Sequence, residues 1–374
     1  MSERTGFSFS AGIWAIGTAL IFGVVMSLAI RPPGKAANRT VSSHAGDTRE
    51  QVHWRVPSAF GTNMIVNGDM IVHVADQLLR ASGGSIELEI FEPGELVPAF
   101  SITDGVKDNK IPAGFTWVGY DLGKIPASSL IAAVPFGMEP WEFMAWWYEG
   151  GGRQLGEDLY NEHNVQPVLC GIIGPETAGW FRKPIDSLED LQGLKIRFSG
   201  LGGKVLQRLG ASVTLIPAGE IFQALEKGAI DATEFSSPVI DRMLGFDRIA
   251  KFNLFPGWHQ PSSSLHLLIN LEVWQALRED TREMINMACE SNTTYGLARS
   301  EALQGEVIQN FPAIGVSVEI LPRELLEVLR ETTREILAEE AAADPHFKKI
   351  LASQQAFSAE YKHWKQVGYL PRDF

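Results

Sequence analysis

Residues 194–203 read Leu194-Lys195-Ile196-Arg197-Phe198-Ser199-Gly200-Leu201-Gly202-Gly203. The first five predict a short β-strand, and the glycines lead into a helical apolar pattern at Val205, Leu206 and Leu209. In α/β folds, small anions bind where a strand ends beside a helix N-terminus, because free backbone N–H groups point at the ligand there. Arg197 is therefore a candidate for holding an anion.

Two carboxylates lie near comparable boundaries elsewhere in the chain. Glu176 is in residues 174–178, after a strand-like run, and Glu234 follows the apolar run of residues 230–233. These residue types allow two interpretations. Glu176, Arg197 and Glu234 either form a site for a small anion and a metal ion, or a structural cluster of ion pairs.

The order of secondary structure predicts the fold class. Residues 51–56 alternate as a strand, residues 64–81 have a helical apolar stripe that stops at Ser82-Gly83-Gly84, and residues 86–91 alternate again. A strand, helix and strand in this order form a βαβ unit, which predicts an α/β fold. Later segments predict long helices over residues 271–309, 324–343 and 347–367.

Composition limits the possible functions. The chain has 374 residues, 45% of them hydrophobic and 21% charged, which predicts a folded protein of about two lobes. Its net charge of −13 argues against broad nucleic-acid binding, which needs clustered Lys and Arg. An anionic ligand must therefore find a local positive group.

The N-terminal region predicts export. Residues 11–30 form a nearly continuous apolar run, which is either a cleaved signal peptide or a retained membrane anchor. Both alternatives place the remaining chain outside the cytoplasm. Residues 31–50 predict a flexible linker.

The two cysteines lie in an apolar run (Cys170) and in a helical segment (Cys289). Sequence alone cannot test the geometry that a disulfide requires. We expect two buried free thiols rather than a disulfide.

Five segments, in order along the chain, carry a family resemblance. They are Val134-Pro135-Phe136-Gly137-Met138, Gly179-Trp180-Phe181-Arg182-Lys183, Asp190-Leu191-Gln192-Gly193-Leu194-Lys195-Ile196-Arg197, Ala224-Leu225-Glu226-Lys227-Gly228-Ala229-Ile230-Asp231-Ala232 and Phe255-Pro256-Gly257-Trp258. From about residue 51 onward the chain resembles the substrate-binding proteins (DctP-type) of tripartite ATP-independent periplasmic (TRAP) transporters. It is most similar to the branch that binds 2-oxo acids such as pyruvate, or hydroxy acids such as lactate, with a metal ion.

The resemblance implies a two-lobed clamshell that closes on its ligand. On this basis we expect residues 51–167 and 262–310 to form lobe 1, and residues 168–261 to form lobe 2. Residues 311–374 would add a strand and C-terminal helices. In this branch a C-terminal helix can exchange between subunits, so we predict a homodimer; apolar positions that suit this role are Phe347, Ile350, Leu351, Phe357 and Tyr361.

The resemblance also implies roles for individual residues. Arg197 would grip the substrate carboxylate, for which a planar guanidinium offers two parallel donors, although a structural salt bridge is the alternative. Glu176, Glu234 and the backbone carbonyl of Phe235 would bind the metal ion. Phe235 would also form an aromatic wall of the pocket, suited to an apolar ligand tail.

Two positions depart from the sodium-and-pyruvate pattern. Glu176 replaces a neutral amide, and Phe235 replaces a tryptophan. Because two carboxylates favour a more highly charged cation, we predict Ca²⁺ over Na⁺. The alternative is that Glu176 pairs with Arg182 or Lys183 at the surface.

The first lobe offers the remaining candidates. Phe115, Thr116 and Trp117 follow a glycine and either line the ligand pocket or pack in the core. His259 and Gln260 either face the cleft or are structural.

The predicted function is capture of a small monocarboxylate and a metal ion for an integral-membrane TRAP permease. Alternatives are a membrane-tethered ligand sensor and a metal-dependent hydrolase. An enzyme is not expected, because the chain has no HExxH helix, no GxSxG nucleophile turn and no histidine cluster.

Overall fold

The computed structural model describes residues 49–370. The apolar run of residues 11–30 and all but the end of the predicted linker at 31–50 lie outside the described residues. Among residues 49–370, no helix combines the length and the apolar character that crossing a bilayer requires.

Strands and helices alternate through the first three quarters of the described chain. The strands are β1 (Val52–Pro57), β2 (Ile86–Phe91), β3 (Ala113–Thr116), β4 (Val165–Ile173), β5 (Gly179–Phe181), β6 (Lys195–Arg197), β7 (Ser212–Thr214), β8 (Ala232–Thr233), β9 (Phe252–Phe255), β10 (Ser263–Asn270) and β11 (Ser317–Ile320). The helices are α1 (Asp69–Ala81), α2 (Ile102–Lys107), α3 (Ser128–Ala132), α4 (Pro140–Glu149), α5 (Gly152–Asn161), α6 (Gly200–Arg208), α7 (Ala218–Glu226), α8 (Pro238–Met243), α9 (Leu271–Ala276), α10 (Glu279–Asn310), α11 (Arg323–Ala343) and α12 (Pro345–Gly368). The α/β prediction is confirmed.

The first half of the fold is built on β1, β2, β3, β10 and β4. Strands β1 and β2 pair in parallel around α1, so the predicted βαβ unit is confirmed. Strand β10 pairs antiparallel with β3 and β4. A bridge between Ser58 and Phe115 connects the two groups of strands.

A separate six-stranded sheet has the strand order β11-β9-β5-β8-β6-β7. Strand β6 runs parallel to both of its neighbours, and Arg197 lies opposite Thr233 of β8. Because carboxyl ends of adjacent parallel strands meet at one edge, Glu234 emerges directly beside Arg197. The fold therefore brings two of the predicted site residues together.

The limits of the two lobes stay a prediction. Strand β4 continues across the limit predicted at residue 167. The predicted helix over residues 271–309 is two helices, α9 and α10, which are separated at Leu277 and Arg278. The predicted helix over residues 64–81 begins later, at Asp69.

The expectation of free thiols is wrong, because Cys170 of β4 and Cys289 of α10 form a disulfide. Helix α10 packs along β4, which brings together two cysteines 119 residues apart in sequence. Both side chains are buried. The disulfide therefore joins the long helix to the sheet.

The two predicted C-terminal helices are confirmed as α11 and α12. The side chains of Phe347, Ile350 and Leu351 are buried within the chain itself. Trp146 of α4 donates to Ser353 at 3.1 Å, and Gln354 donates to the Leu130 carbonyl at 2.7 Å. Helix α12 is thus packed against α3 and α4 of its own subunit.

Candidate ligand and metal site

Arg197 lies at the end of β6 with 1% of its surface exposed. Its Nη1 donates to Glu234 Oε2 at 3.0 Å and also to the Glu234 main-chain oxygen, and its Nε donates to the Ile216 carbonyl at 3.2 Å. The guanidinium carbon is 5.2 Å from the centre of the Phe235 ring. These contacts hold the guanidinium in one orientation.

Glu234 is fully buried. Its Oε2 also accepts from the main-chain N–H of Ser199 at 3.2 Å and from the Ser199 hydroxyl at 3.1 Å. Its Oε1 has no hydrogen-bond partner among the described residues. One carboxylate oxygen is thus fixed by the protein, and the other is available to a ligand.

Glu176 lies across from Glu234, and His259 lies between them. Nε2 of His259 is 3.7 Å from Glu176 Oε2 and 3.5 Å from Glu234 Oε1, which is within ion-pair distance of both carboxylates. One ligand atom from each of the three residues falls within 4.8 Å of the others. A metal ion could therefore contact all three side chains.

Gln260 adjoins the same carboxylate. With its amide nitrogen oriented toward Glu176, which is the orientation that its hydrogen bonds favour, it donates to Oε1 at 3.0 Å and to Oε2 at 3.1 Å. Glu176 is 3% exposed. The alternative pairing of Glu176 with Arg182 or Lys183 is not observed, and Arg182 donates instead to the Leu225 carbonyl.

The electrostatics of the cluster follow from burial and proximity. Burial, reinforced by the Glu234 charge, raises the pKa of Glu176 to about 7. Burial would also raise the pKa of Glu234, but Arg197 and His259 bring it below its ordinary value. Burial would lower the pKa of His259, but the two carboxylates outweigh it and raise the pKa to about 9. The positive charges of Arg197 and His259 therefore offset the negative charge of the carboxylates within the cluster.

A third buried carboxylate, Asp241 of α8, is hydrogen-bonded to the segments that carry Glu176 and Glu234. It accepts from Trp180 Nε1 at 2.8 Å, from the Ser236 main-chain N–H at 3.0 Å and from the Thr177 hydroxyl at 3.4 Å. Thr177 follows Glu176, and Ser236 lies two residues after Glu234. Asp241 therefore connects the two segments that carry the candidate metal ligands.

Gly257 allows the segment before His259 to approach Glu176 closely. A Cβ atom at position 257 would lie 2.2 Å from the Glu176 main-chain oxygen. Any other residue would force these two segments apart, so glycine is required at this position.

The cluster borders a small cavity of about 20 Å³. Its lining comprises Phe60, Asn67, Trp117, Tyr120, Ile173, Glu176, Ser199, Phe235, Gln260, Ser263 and Leu265. This volume holds about one water molecule. The structure is thus a closed form, and an organic acid requires its walls to move apart.

Trp117 and Tyr120, which follow β3 in the chain, form one wall of the cavity, with their rings 5.1 Å apart. They are carried by residues 117–123, where Asp121 is buried and accepts from the Thr103 hydroxyl and the Tyr160 hydroxyl, each at 2.8 Å. Burial raises the pKa of Asp121 to about 6. Asp121 therefore anchors the wall to two neighbouring helices.

Some of the predicted lining residues line the cavity, and others do not. Trp117 lines the cavity, and so does Phe235. Phe115 and Thr116 are buried on β3 and are not among the lining residues, and the Phe115 ring packs edge-on against Phe60 with centroids 6.3 Å apart.

Several lining residues were not predicted from the sequence: Asn67, Tyr120 and Ser199. His259 and Gln260 carried a signal, because they follow the Pro256-Gly257-Trp258 segment. Asn67 and Tyr120 had none, since neither belongs to a recognisable motif.

The donor set fits a hard cation. Carboxylate oxygens are the ligands that Ca²⁺ prefers, and the buried Glu234 Oε1 has no hydrogen-bond partner among the described residues. Asn67 Oδ1 and Trp117 Nε1, which belong to lining residues of the cavity, are also buried without hydrogen-bond partners in that part of the chain. A bound ion and a polar ligand would supply partners to these groups.

A protein-family model described as bacterial extracellular solute-binding protein, family 7, matches residues 62–344. A monocarboxylate 2-oxoacid-binding periplasmic protein from a Nostoc species is 35% identical over 324 residues, covering 85% of this chain and 87% of that protein.

Solved structures agree in fold. A TRAP transporter solute-binding protein from Bordetella bronchiseptica, a mixed-occupancy dimer with copurified calcium and picolinate, has a TM-score of 0.82 at 30% identity and covers 85% of this chain and 95% of that one. A TRAP periplasmic solute-binding protein from Pseudoalteromonas atlantica, with bound sodium and pyruvate, has a TM-score of 0.81 at 31% identity and covers 85% of this chain and 97% of that one.

Proposed function

This chain belongs to family 7 of the bacterial extracellular solute-binding proteins, and on that premise we propose that it captures a small monocarboxylate together with a metal ion. The ligand class is a 2-oxo acid such as pyruvate, or a hydroxy acid such as lactate. Like the TRAP proteins that it resembles, it is a solute-binding subunit that delivers its ligand to integral-membrane permease subunits. The hydrolase alternative is abandoned, because members of this family bind solutes.

One observation carries the proposal: a single buried guanidinium, Arg197, lies beside two buried carboxylates, Glu176 and Glu234. A monocarboxylate would pair with Arg197, and a cation would bridge the ligand to the two carboxylates. Arg197 is the only cation in direct contact with this cluster that the described residues include, apart from the titratable His259. A second ligand carboxylate would therefore lack a partner.

The two carboxylates, Glu176 and Glu234, support Ca²⁺ over Na⁺, because Ca²⁺ prefers carboxylate oxygens. A divalent ion beside His259 favours the neutral imidazole. The charges of Arg197, the two carboxylates, Ca²⁺ and a monocarboxylate then cancel within the buried site. The Bordetella protein holds calcium and the Pseudoalteromonas protein holds sodium, so both ions occur among similar structures.

The roles of the lining residues follow from this arrangement. Glu176, Glu234 and the Phe235 carbonyl bind the ion, and Arg197 binds the ligand carboxylate. The rings of Trp117 and Phe235 enclose the apolar tail. Thr116 and Phe115 act by supporting Trp117 from β3.

Isothermal titration calorimetry on protein freed of metal ions by chelation tests the proposal. Pyruvate and lactate are titrated with no added ion, with Ca²⁺ and with Na⁺, and malonate serves as the dicarboxylate control. We expect tight binding of a monocarboxylate only with a cation, and tighter binding with Ca²⁺. Equal affinity without any cation, or preference for malonate, would contradict the proposal.

Location and assembly complete the proposal. The mature protein acts in the periplasm, and residues 11–30 direct its export as a signal peptide or hold it at the membrane. The dimeric Bordetella protein supports a homodimer. Light scattering on the full chain tests this, and a monomer at all concentrations would remove the dimer.

A further inference from the structure

A second concave region lies beside residues 133–138. It has a volume of about 440 Å³ and is bounded by α4, α11, α12 and residues 133–138. It shares no lining residue with the cavity described above. Its volume falls within the range of about 300–1,000 Å³ that is typical of small-molecule sites. We call it the α11–α12 groove.

The rim of the groove is positively charged. Four basic side chains line it, Arg330, Arg334, Lys362 and Lys365, against one carboxylate, Glu142. This excess is unusual in a chain whose net charge is −13.

The single carboxylate is already bound by the protein. Glu142 Oε1 accepts from the Ser358 hydroxyl at 2.7 Å, and Glu142 Oε2 lies 3.5 Å from Lys365 Nζ. Lys365 also pairs with Glu139 at 3.1 Å. Glu142 and Lys365 therefore neutralise each other within the groove.

Two of the remaining cations are not neutralised. Arg334 pairs with the exposed Glu331 at 3.0 Å. No ion pair within 4.0 Å joins Arg330 or Lys362 to any carboxylate in residues 49–370. Two positive charges, one from each helix, are thus available to an anion.

The floor of the groove is apolar. Phe136, Met138, Leu337 and Leu351 line it, with the Gln355 amide beside them. Met138 and Leu351 are each 8% exposed, so the surface that they offer is limited to the groove. An occupant would place an apolar body on these side chains.

We propose that the α11–α12 groove is a second ligand site, which binds a small amphipathic organic anion. Its carboxylate, sulfonate or phosphate group pairs with Arg330 and Lys362, and its hydrocarbon body lies on the floor. An anionic group that lies between cations from two helices is bound more strongly than one beside a single exposed lysine, because both cations attract it. This site is independent of the one that holds the metal ion.

The test uses 8-anilinonaphthalene-1-sulfonate, an amphipathic anion whose fluorescence rises on an apolar surface. The full chain is titrated in the presence of Ca²⁺ and pyruvate, and N-phenyl-1-naphthylamine provides the uncharged analogue. We expect one saturable site for the sulfonate. The uncharged analogue should bind about tenfold more weakly than the sulfonate, or weaker still.

Paired variants locate the site. Arg330→Ala with Lys362→Ala removes both available cations, whereas Arg323→Ala with Lys349→Ala removes the same charge from the same two helices outside the groove. We expect the first pair to weaken sulfonate binding about tenfold or more and the second to leave it unchanged. Leu337→Ser, a change in the apolar floor, should weaken the binding of both probes.

Three outcomes would overturn the proposal. They are the absence of a saturable site, equal losses in the two double variants, and equal affinity for the charged and uncharged probes. The four basic residues substituted in the double variants are solvent-exposed, so we expect the fold to be retained. A thermal melt of each variant checks this.

Discussion

Arg197 donates from a single nitrogen, Nη1, to both the side chain and the main chain of Glu234, with 3.0 Å separating Nη1 from Oε2. Arg197 is the last residue of β6 and Glu234 directly follows β8, so the pairing follows from the register of these adjacent parallel strands. One carboxylate oxygen of Glu234 is thereby directed away from the ion position. The arginine that would bind the ligand also orients a metal ligand.

Replacing Arg197 with lysine tests this double role. An ammonium has a single nitrogen, so it cannot keep the contacts that Arg197 Nε and Nη1 make with Ile216 and Glu234 and also donate to a ligand carboxylate as the remaining nitrogen, Nη2, would. We expect the affinity for pyruvate to fall by about 2 kcal/mol or more, which is about thirtyfold, with a smaller loss for Ca²⁺ alone. Calorimetry measures both. Arg182→Lys, the same change outside the site, is the control, and equal effects of the two variants would contradict the assignment.

Glu176→Gln tests the choice of ion. The substitution restores the neutral amide of the sodium-and-pyruvate pattern and removes one negative charge from the cluster. We expect the affinity for Ca²⁺ to fall about 10- to 100-fold, and the affinity for Na⁺ to change much less. Glu189→Gln, at an exposed carboxylate, is the matched control. A parallel loss for both ions would show that Glu176 does not discriminate between them.

Leu265→Ala tests the limit on ligand size. Leu265 is 1% exposed and lines the cavity, so its truncation enlarges the space available to an apolar tail. We expect the affinity for 4-methyl-2-oxopentanoate relative to pyruvate to rise about tenfold. Leu267→Ala, at a position on the same strand that is equally buried and is not among the lining residues, is the control. If both variants keep the wild-type ratio, the ligand tail lies elsewhere.

The disulfide between Cys170 and Cys289 predicts a large contribution to stability. It closes a loop of 119 residues, which restricts the unfolded chain. We expect Cys170→Ser with Cys289→Ser to lower the free energy of unfolding by about 2–5 kcal/mol, measured by urea denaturation. Dithiothreitol should destabilise the wild type and leave the double variant unchanged. A reductant effect on the double variant would show that another mechanism acts.

Asp121 predicts a dependence of stability on pH. Its pKa in the folded protein is about 6, above the ordinary 3.8, so the folded state favours the protonated form. Its favourable contribution is complete below about pH 4 and is lost as the pH rises through about 6.

Asp121→Asn provides the comparison for this titration. Relative to the variant, we expect the wild type to lose on the order of 2 to 3 kcal/mol of unfolding free energy between pH 4 and pH 7. Urea denaturation at each pH measures the difference, in which titration of the other groups largely cancels. A difference that is the same at every pH would contradict the assignment.

Local pattern was enough to predict much of the fold. The alternating strands on either side of α1 and the apolar stripes of α11 and α12 all lie within short segments, so their period is readable. The break between α9 and α10 was not predicted. The helical period of the sequence continues across Leu277 and Arg278, although the helical backbone is interrupted there. The disulfide was missed for a different reason: it depends on α10 packing along β4, a contact between distant segments.

The candidate site divides in the same way. Arg197 and Glu234 were accessible because each ends a strand. His259, Tyr120 and Asn67 come from three separate loops, and only tertiary packing brings them to one place. Glu176 was recognised as a departure from a pattern, but its burial beside His259 and Gln260 depends on the close approach at Gly257.

Asp241 has a consequence for how ion preference can change in evolution. Asp241 is not hydrogen-bonded to Glu176 or Glu234, yet it accepts hydrogen bonds from Thr177 and Ser236. It therefore sets the spacing between the two segments that carry the metal-binding carboxylates. A substitution at position 241 could therefore widen or narrow the ion's cage while every coordinating residue stays the same. Two relatives with identical coordinating residues need not select the same ion, and comparing those residues alone would misassign one of them.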